Sequence, residues 1–170
     1  ALPAIGIVGA WATVMLENIL TSQRLISEYT FTSLGDTFNL ATIEQYDGII
    51  VNERDFGLSL EEAQALRAYF DSGKPVIMGM DDYDELASEI QDLIFPMFGI
   101  EQAIDGNFEF FGSLNSQNPI TTEISFLTAL DDKDHDYFIP DDGEWIFSGD
   151  DGNYYGVSHR ASSQAVIMGE

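Results

Sequence analysis

The stretch LSLEEAQALRAYFDSGKPVIMG, from Leu58 to Gly79, decides the fold class of this chain. Ser59 and Glu62 have the spacing of a capping box, in which each side chain accepts a hydrogen bond from a backbone amide at the start of a helix. Gly73 can adopt the left-handed conformation that ends a helix, and Pro75 prevents the helix from continuing. The apolar residues that follow predict a buried strand, so the stretch is one helix followed by one strand.

The same alternation continues towards the N-terminus. Short apolar or alternating runs predict strands at AIGIVGAW, EYTFTSL and YDGIIV. TVMLENILTSQR is predicted to be a helix, because its apolar residues recur on one helical face: Ala12, Met15, Leu16, Ile19 and Leu20. Strands that are separated by helical crossovers favour a mostly parallel sheet with helices on both faces, which is a three-layer α/β architecture.

Beyond Gly79 the pattern becomes less regular. DDYDELASEIQDLIFPMFGI predicts a helix that begins near Tyr83 and ends near Gly99. NFEFFGSL, EWIFSG and SSQAVIMGE predict further strands in an irregular, acidic and β-rich C-terminal part. The last of these strands reaches Glu170 without a following helix. We therefore expect residues 1–170 to be one domain that is part of a longer polypeptide.

The charge of the chain limits its partners. Thirty acidic residues against six basic ones give a net charge of −24, although 45% of the residues are hydrophobic, as in a globular protein. This charge excludes nucleic acid and anionic membranes as default partners, because both attract positive surfaces. No apolar run approaches the roughly 18 residues needed to enter a bilayer as a spanning helix.

The absence of cysteine from the sequence limits the chemistry. Disulfides, thiolate catalysis and cysteine-ligated zinc are all excluded. A very acidic chain without cysteine is typical of secreted bacterial or halophilic proteins. We therefore expect a secreted or cell-surface location.

Three segments in succession resemble the class I glutamine amidotransferase-like superfamily: IEQYDGIIV, LSLEEAQALRAYFDSGKPVIMG, and MFGIEQ followed by NPITTEI. The resemblance covers roughly residues 1–126 and implies a flavodoxin-like fold. Catalytic members of this superfamily carry a cysteine after the strand that corresponds to Val76–Met80, at the position of Met80 or Asp81. The chain has no cysteine, and His159 has no carboxylate two residues later. The resemblance therefore implies a non-catalytic branch that does not hydrolyse glutamine through a thioester.

Ligands of open α/β sheets bind at the carboxyl ends of the strands. Three predicted strand ends form the candidate ligand cleft, with residues Gly9, Trp11, Asn52, Glu53, Arg54, Asp81 and Asp82. Trp11 is either a sugar-stacking platform or part of the packing at this edge. Arg54 either binds a substrate or pairs with neighbouring acids. Asp81 or Asp82 is expected to cap the helix near Tyr83, because both suit the start of a helix.

An enzymatic alternative uses the same cleft. Glu53 and Asp81 could act as a general acid and a general base if their pKa values were separated. Asp81 could also act as a nucleophile, with His135 or His159 as the base. Either scheme would make the chain a hydrolase of a carbohydrate or another small substrate.

Residues 131–151 contain nine acids and one lysine. Asp132, Asp134 and Asp136 have the alternate spacing of a calcium loop, but Tyr137 and Gly143 occupy the positions of its glycine and glutamate, so the segment is not an EF-hand. Oxygen ligands for Ca²⁺ could come from Asp132, Asp134, Asp136, Asp141 and Asp142. The other interpretation is a solvated acidic hairpin. Both interpretations place this segment on the surface and outside the core.

The function hypothesis that these observations favour is a catalytically silent domain with the amidotransferase-like fold. It would serve as a binding or structural module of a larger secreted or cell-surface protein. Its partners would be other domains of that polypeptide, another protein, or a carbohydrate. The hydrolase is the alternative. A third hypothesis is a subunit whose partner completes the sheet or the site.

Overall fold

The computed structural model describes residues 1–52, 57–80, 82–106, 111–118, 121, 135–159 and 165–169. The helices are α1 (Ala12–Ile19), α2 (Gln23–Glu28), α3 (Leu40–Ile43), α4 (Leu60–Asp71) and α5 (Ser88–Phe98). The strands are β1 (Ala4–Val8), β2 (Thr30–Gly35), β3 (Gly48–Asn52), β4 (Val76–Met80), β5 (Ile100–Gly106), β6 (Phe111–Leu114), β7 (His135–Pro140), β8 (Glu144–Gly149), β9 (Tyr154–Ser158) and β10 (Ala165–Gly169).

Five strands form a parallel half-sheet in the order β2-β1-β3-β4-β10. This is the flavodoxin-like order 2-1-3-4-5, with β10 in the fifth position. The order reverses between β1 and β3, which is the point at which such sheets bind ligands. The predicted α/β class with a flavodoxin-like parallel sheet is therefore confirmed.

The other strands extend the sheet in antiparallel fashion. Strand β9 pairs with β10, β8 and β7, while β7 also pairs with β5 and β8 with β6. The sequence indicated β6, β8 and β10 but not β5, β7 or β9. The prediction that residues 131–151 stay outside the core is wrong for the described part, because Phe138 in β7 is 1% exposed and belongs to the main core cluster.

Helix α4 has the ends that its sequence predicts. The Ser59 hydroxyl accepts a hydrogen bond from the Glu62 amide at 3.2 Å, and the Glu62 carboxylate accepts one from the Ser59 amide at 3.0 Å. Gly73 follows the helix with a φ of 90°. The carboxylate of Glu62 is buried and also accepts a hydrogen bond from the Phe38 amide, which ties α4 to the start of α3.

The two faces of the parallel half-sheet are covered unequally. Helices α4 and α5 bury one face, where Val76, Met78 and Met80 of β4 are each 0% exposed. Helices α1 and α2 lie on the opposite face, where α1 packs against β1 and β3. None of the helices in the described ranges is long and apolar enough to cross a membrane.

Candidate functional site

The carboxyl ends of β1, β3, β4 and β10 meet at one edge of the sheet because these strands are parallel neighbours. This strand-end edge contains the predicted cleft residues that the structure describes: Gly9, Trp11, Asn52 and Asp82. The other predicted members, Glu53, Arg54 and Asp81, lie outside the described residues. The enzymatic pair of Glu53 and Asp81 therefore remains a prediction.

At the switch point between β1 and β3, the backbones that follow the two strands are in close contact. Gly9 has a φ of 125°, and a Cβ at this position would overlap the carbonyl oxygen of Asn52. The amide of Gly9 also donates a hydrogen bond to the carbonyl of Gly35 at 3.0 Å. Only glycine fits this turn, so the two strand ends pack directly on each other.

Trp11 lies beside this turn and is 48% exposed. It occupies the N-cap position of α1, where its side chain makes no capping hydrogen bond. A half-exposed indole at a strand-end edge has the exposure that a stacking platform needs. The same exposure is compatible with a surface residue that has no ligand, so the predicted platform remains a hypothesis.

Tyr83 fills the end of β4. Its hydroxyl accepts a hydrogen bond from the Met80 amide at 3.1 Å and donates one to the Met168 carbonyl of β10, also at 3.1 Å. The side chain is 0% exposed, and its ring packs edge-on against Phe138 with centroids 5.4 Å apart. The space between the ends of β4 and β10 is therefore occupied by a phenol of the protein itself.

The described part of the turn after β4 contains a residue in the left-handed conformation. Asp82 has a φ of 57°, and aspartate tolerates this left-handed conformation better than most residues. The chain then makes two successive turns, in which the carbonyls of Asp82 and Tyr83 accept hydrogen bonds from the amides of Glu85 and Leu86. This arrangement turns the Tyr83 side chain back into the sheet.

No helix begins near Tyr83, so the prediction that Asp82 caps one there is wrong, while Asp81, the other predicted cap, lies outside the described residues. Helix α5 begins at Ser88, and its N-cap residue is Ala87, without a side-chain hydrogen bond. The amides that a cap would satisfy are used in the turns before the helix, and the Asp84 amide donates to the Asp136 carboxylate at 3.1 Å. The Gln91 side chain donates to the carbonyls of Tyr83 and Asp84, so α5 also holds the turn.

Asp136 is therefore a structural acceptor as well as a predicted metal ligand. Its side chain is 2% exposed. Asp141 and Asp142 lie just beyond the other end of β7, so Asp141 is five positions along the chain from Asp136, or roughly 17 Å at 3.3 Å per residue. The structure thus does not bring these carboxylates together.

Calcium binding remains a prediction. Asp132 and Asp134 are outside the described residues. Within the described ranges, no three potential metal ligands of the His, Asp or Glu type lie together.

His159 lies at the opposite edge of the sheet from the described part of the turn after β4. It follows β9, which runs antiparallel to β10 and pairs its last residue, Ser158, with Val166 near the start of β10. The imidazole packs edge-on against Phe70 of α4, with centroids 5.7 Å apart. His159 therefore lies away from the described part of the turn after β4, and because Asp81 is outside the described residues, its activation by His159 remains a prediction. The side chain of the second candidate base, His135, is not described.

No model of a protein family matches the chain, and no curated protein matches it in sequence. Solved structures do match. A candidate GMP synthase subunit from Thermoplasma acidophilum is 13% identical, with a TM-score of 0.61 over 99% of this chain and 83% of that one. A glutamine amidotransferase from Thermotoga maritima is 15% identical, with a TM-score of 0.60 over 98% of this chain and 74% of that one. The fold of the chain therefore resembles that of class I glutamine amidotransferase domains.

The amidotransferase-like fold also occurs inside a longer enzyme. The exo-β-1,4-mannosidase Op5Man5 from Opitutaceae bacterium strain TAV5 is 11% identical and has a TM-score of 0.55. The match covers 98% of this chain but 31% of the mannosidase. At these identities the likeness concerns the fold, which hosts unrelated functions.

Tyr83 is the residue at the site that sequence reasoning missed. Its neighbours Asp81 and Asp82 are acidic, and they suggested a helix cap or a ligand-binding cleft. Its partner Met168 is 85 positions away. An aromatic residue directly after a predicted strand-end turn was the one local indication that this turn folds back on the sheet.

Proposed function

We propose that the chain is a catalytically silent domain with the amidotransferase-like fold and serves as a binding or structural module of a larger secreted or cell-surface protein. One observation carries the proposal: the Tyr83 hydroxyl bridges the Met80 amide and the Met168 carbonyl at the strand-end edge. A nucleophile at this turn would need open space for its substrate. Here the end of β4 is packed with a buried aromatic ring.

The chemistry of the chain supports the same proposal. Thioester formation requires a thiol, and the sequence contains no cysteine. A base must also lie within hydrogen-bond reach of the group that it activates. His159 packs on Phe70 and follows Ser158, which pairs with Val166 near the start of β10, so it lies at the opposite edge of the sheet from the described part of the turn after β4.

The role as a module is supported by size and charge. The fold of the whole chain corresponds to less than a third of the mannosidase that shares it, so this fold is found as one part of a longer protein. The net charge of −24 suits a solvated domain outside the cell. Other domains of the same polypeptide, a protein partner and a carbohydrate are the partners proposed.

A hydrolase remains the second candidate because Trp11 is 48% exposed at the strand-end edge. An exposed indole can stack on a sugar ring, and Glu53 and Asp81 flank the same edge in sequence. In this scheme the two carboxylates would act as acid and base on a glycosidic bond.

The experiment that separates the two candidates measures release of 4-nitrophenol from a panel of 4-nitrophenyl glycosides, including the β-mannoside. The wild-type protein would be compared with Glu53→Gln and Asp81→Asn, with Glu89→Gln on the exposed side of α5 as the matched control. A silent module gives the buffer rate in all four samples. A wild-type rate that falls at least tenfold in Glu53→Gln or Asp81→Asn, but not in Glu89→Gln, would establish the hydrolase.

A further inference from the structure

The face of the sheet opposite α4 and α5 carries an apolar row that is only partly covered. Strand register places Ile7, Ile50, Ile77 and Val166 side by side across β1, β3, β4 and β10. Ile7 is 0% exposed, whereas Ile77 is 38% exposed although β4 has a hydrogen-bonded strand on each side. Central strands of parallel sheets are normally buried on both faces. Among the described residues, the helical layer on this face therefore covers β1 but leaves β4 partly uncovered.

The two faces of β4 show the contrast directly. Val76 and Met78 flank Ile77 in sequence, point to the other face, and are each 0% exposed. Strand β4 is therefore buried on the face of Val76 and Met78 and partly exposed on the face of Ile77. Helices α4 and α5 fill their layer, and the layer of α1 and α2 does not extend as far as β4.

A groove of about 440 Å³ lies along this uncovered face. Its floor includes Ile5, Ile50 and Ile77 of the sheet, and its wall is formed by Met15 and Ile19 of α1. Every residue that lines it is apolar or aromatic, or is a glycine or proline. Ligand sites for small molecules combine such surfaces with a few placed polar groups. The uniformly apolar lining favours a protein surface as the occupant.

The wall of the groove also has unused apolar surface. The sequence predicts an amphipathic α1, yet Ala12 is the only residue of this helix that is buried. Leu25 of α2 is 36% exposed and lines the same groove. A helix placed beside α1 and above β4 would therefore bury apolar side chains of both the sheet and the neighbouring helices.

We propose that this groove binds an amphipathic α-helix of a partner protein, with an apolar face towards Ile77 and with lysine or arginine residues along its flanks. A helix is the element that covers a parallel sheet. The basic flanks follow from charge, because the field of a chain with a net charge of −24 attracts cationic surfaces. A second copy of the chain would bring the same negative charge, which opposes self-association.

The length of the partner helix follows from the strand. Strand β4 has five residues and spans roughly 17 Å at 3.3 Å per residue. A helix of about 12 residues has the same length at 1.5 Å per residue. Apolar residues at positions i, i+3, i+4 and i+7 of such a helix form the face that enters a groove. The proposed role deepens the binding role given above, and it concerns a different surface from the strand-end edge.

The test uses three synthetic peptides and isothermal titration calorimetry. The first peptide has leucine at the groove-facing positions, lysine on the flanks and alanine elsewhere. The second replaces each lysine with glutamate, and the third has the composition of the first with leucine on all sides of the helix. We expect the first peptide to bind one per chain, and at least tenfold more tightly than either of the others.

Two variants locate the binding. Ile77→Glu places a charge in the groove and should weaken binding of the lysine peptide at least tenfold, and Ile77→Ala should weaken it less while leaving the thermal melt nearly unchanged. Leu60→Glu is the matched control, since Leu60 is 37% exposed on the other side of the molecule. Binding that Ile77→Glu leaves intact would overturn the proposal, as would failure to bind the lysine peptide at millimolar concentration.

Two further outcomes would also overturn it. A wild-type dimer in sedimentation equilibrium that Ile77→Glu dissociates would show that a second copy covers the face. Equal binding of the lysine and glutamate peptides would show that charge has no part in recognition. These outcomes are measured as binding. The proposal that the chain is catalytically silent is tested separately, because the glycoside assay measures turnover.

Discussion

The hydroxyl of Tyr83 donates a hydrogen bond to the carbonyl oxygen of Met168 over 3.1 Å, which joins the turn after β4 to the neighbouring strand β10. The same hydroxyl oxygen accepts a hydrogen bond from the Met80 amide. One phenol thus satisfies two backbone groups at the edge where the fold places ligands.

The first prediction concerns this hydroxyl. Tyr83→Phe keeps the buried ring but leaves the Met80 amide and the Met168 carbonyl without their partner. A buried polar group that loses its hydrogen bond costs about 1–3 kcal/mol. We expect a loss of that size in the free energy of unfolding, measured by urea denaturation. Tyr29→Phe is the control, because the Tyr29 hydroxyl makes no hydrogen bond within the described part of the chain, and it should change stability by less than about 0.5 kcal/mol.

The second prediction concerns Asp136. Asp136→Ala removes the acceptor of the Asp84 amide and should lower stability by about 1–3 kcal/mol without any added metal. Asp142→Ala changes an exposed carboxylate at the turn after β7 and should stay within about 0.5 kcal/mol. Equal effects of the two variants in the presence of EDTA would show that Asp136 has no structural role.

The third prediction is calcium binding by the acidic segment. Hard carboxylate oxygens select Ca²⁺ over softer metals, and calorimetric titration of the metal-stripped protein should show binding at or below about 1 mM. Asp132→Asn with Asp134→Asn should abolish the heat of binding, whereas Asp92→Asn on α5 should not. A titration without saturable heat would contradict calcium binding by this segment.

The fourth prediction concerns alkaline pH. Burial, with a smaller contribution from the charge of Asp47, raises the pKa of Tyr69 to about 12. The folded protein therefore holds this proton more tightly than the unfolded chain, whose tyrosine loses it near pH 10. The stabilisation is complete below about pH 10 and is lost as the pH rises towards 12. Urea midpoints should fall over this interval.

Tyr69→Phe tests the assignment, because it removes one group that contributes to this fall. Burial and a hydrogen bond to Asp151 also raise the pKa of Tyr155, so Tyr155→Phe should remove a second contribution. If the urea midpoint of both variants fell between pH 10 and 12 as steeply as that of the wild-type protein, neither tyrosine would be the cause of the loss of stability.

The sequence correctly predicted the features that depend on contacts between residues close together in the chain. The capping box of Ser59 and Glu62 closes over three residues, and Gly73 ends the helix that it starts. The turn after β4 escaped prediction because it depends on distant partners. Asp136 is 52 positions from Asp84, and Met168 is 85 positions from Tyr83. No local pattern encodes such pairs.

The acidic C-terminal part was misinterpreted for a related reason. The density of acidic residues in this part indicated a surface loop. The part contains strand β7, however, and residues two positions apart in a strand lie on the same face of the sheet. Phe138 points into the core, where it meets the ring of Tyr83. Asp136, which lies on the same strand, is buried against the turn after β4. Net charge described the composition of this segment, but the strand periodicity decided its packing.

The most direct test of the central claim is ammonia release from glutamine by the purified chain. The buried Tyr83 ring and the absence of cysteine predict a rate equal to that of buffer for the wild-type protein and for Asp82→Ala. An active amidotransferase from the same fold would serve as the positive control. A wild-type rate clearly above buffer that Asp82→Ala or Asp81→Ala abolishes would contradict the claim that this turn is structural.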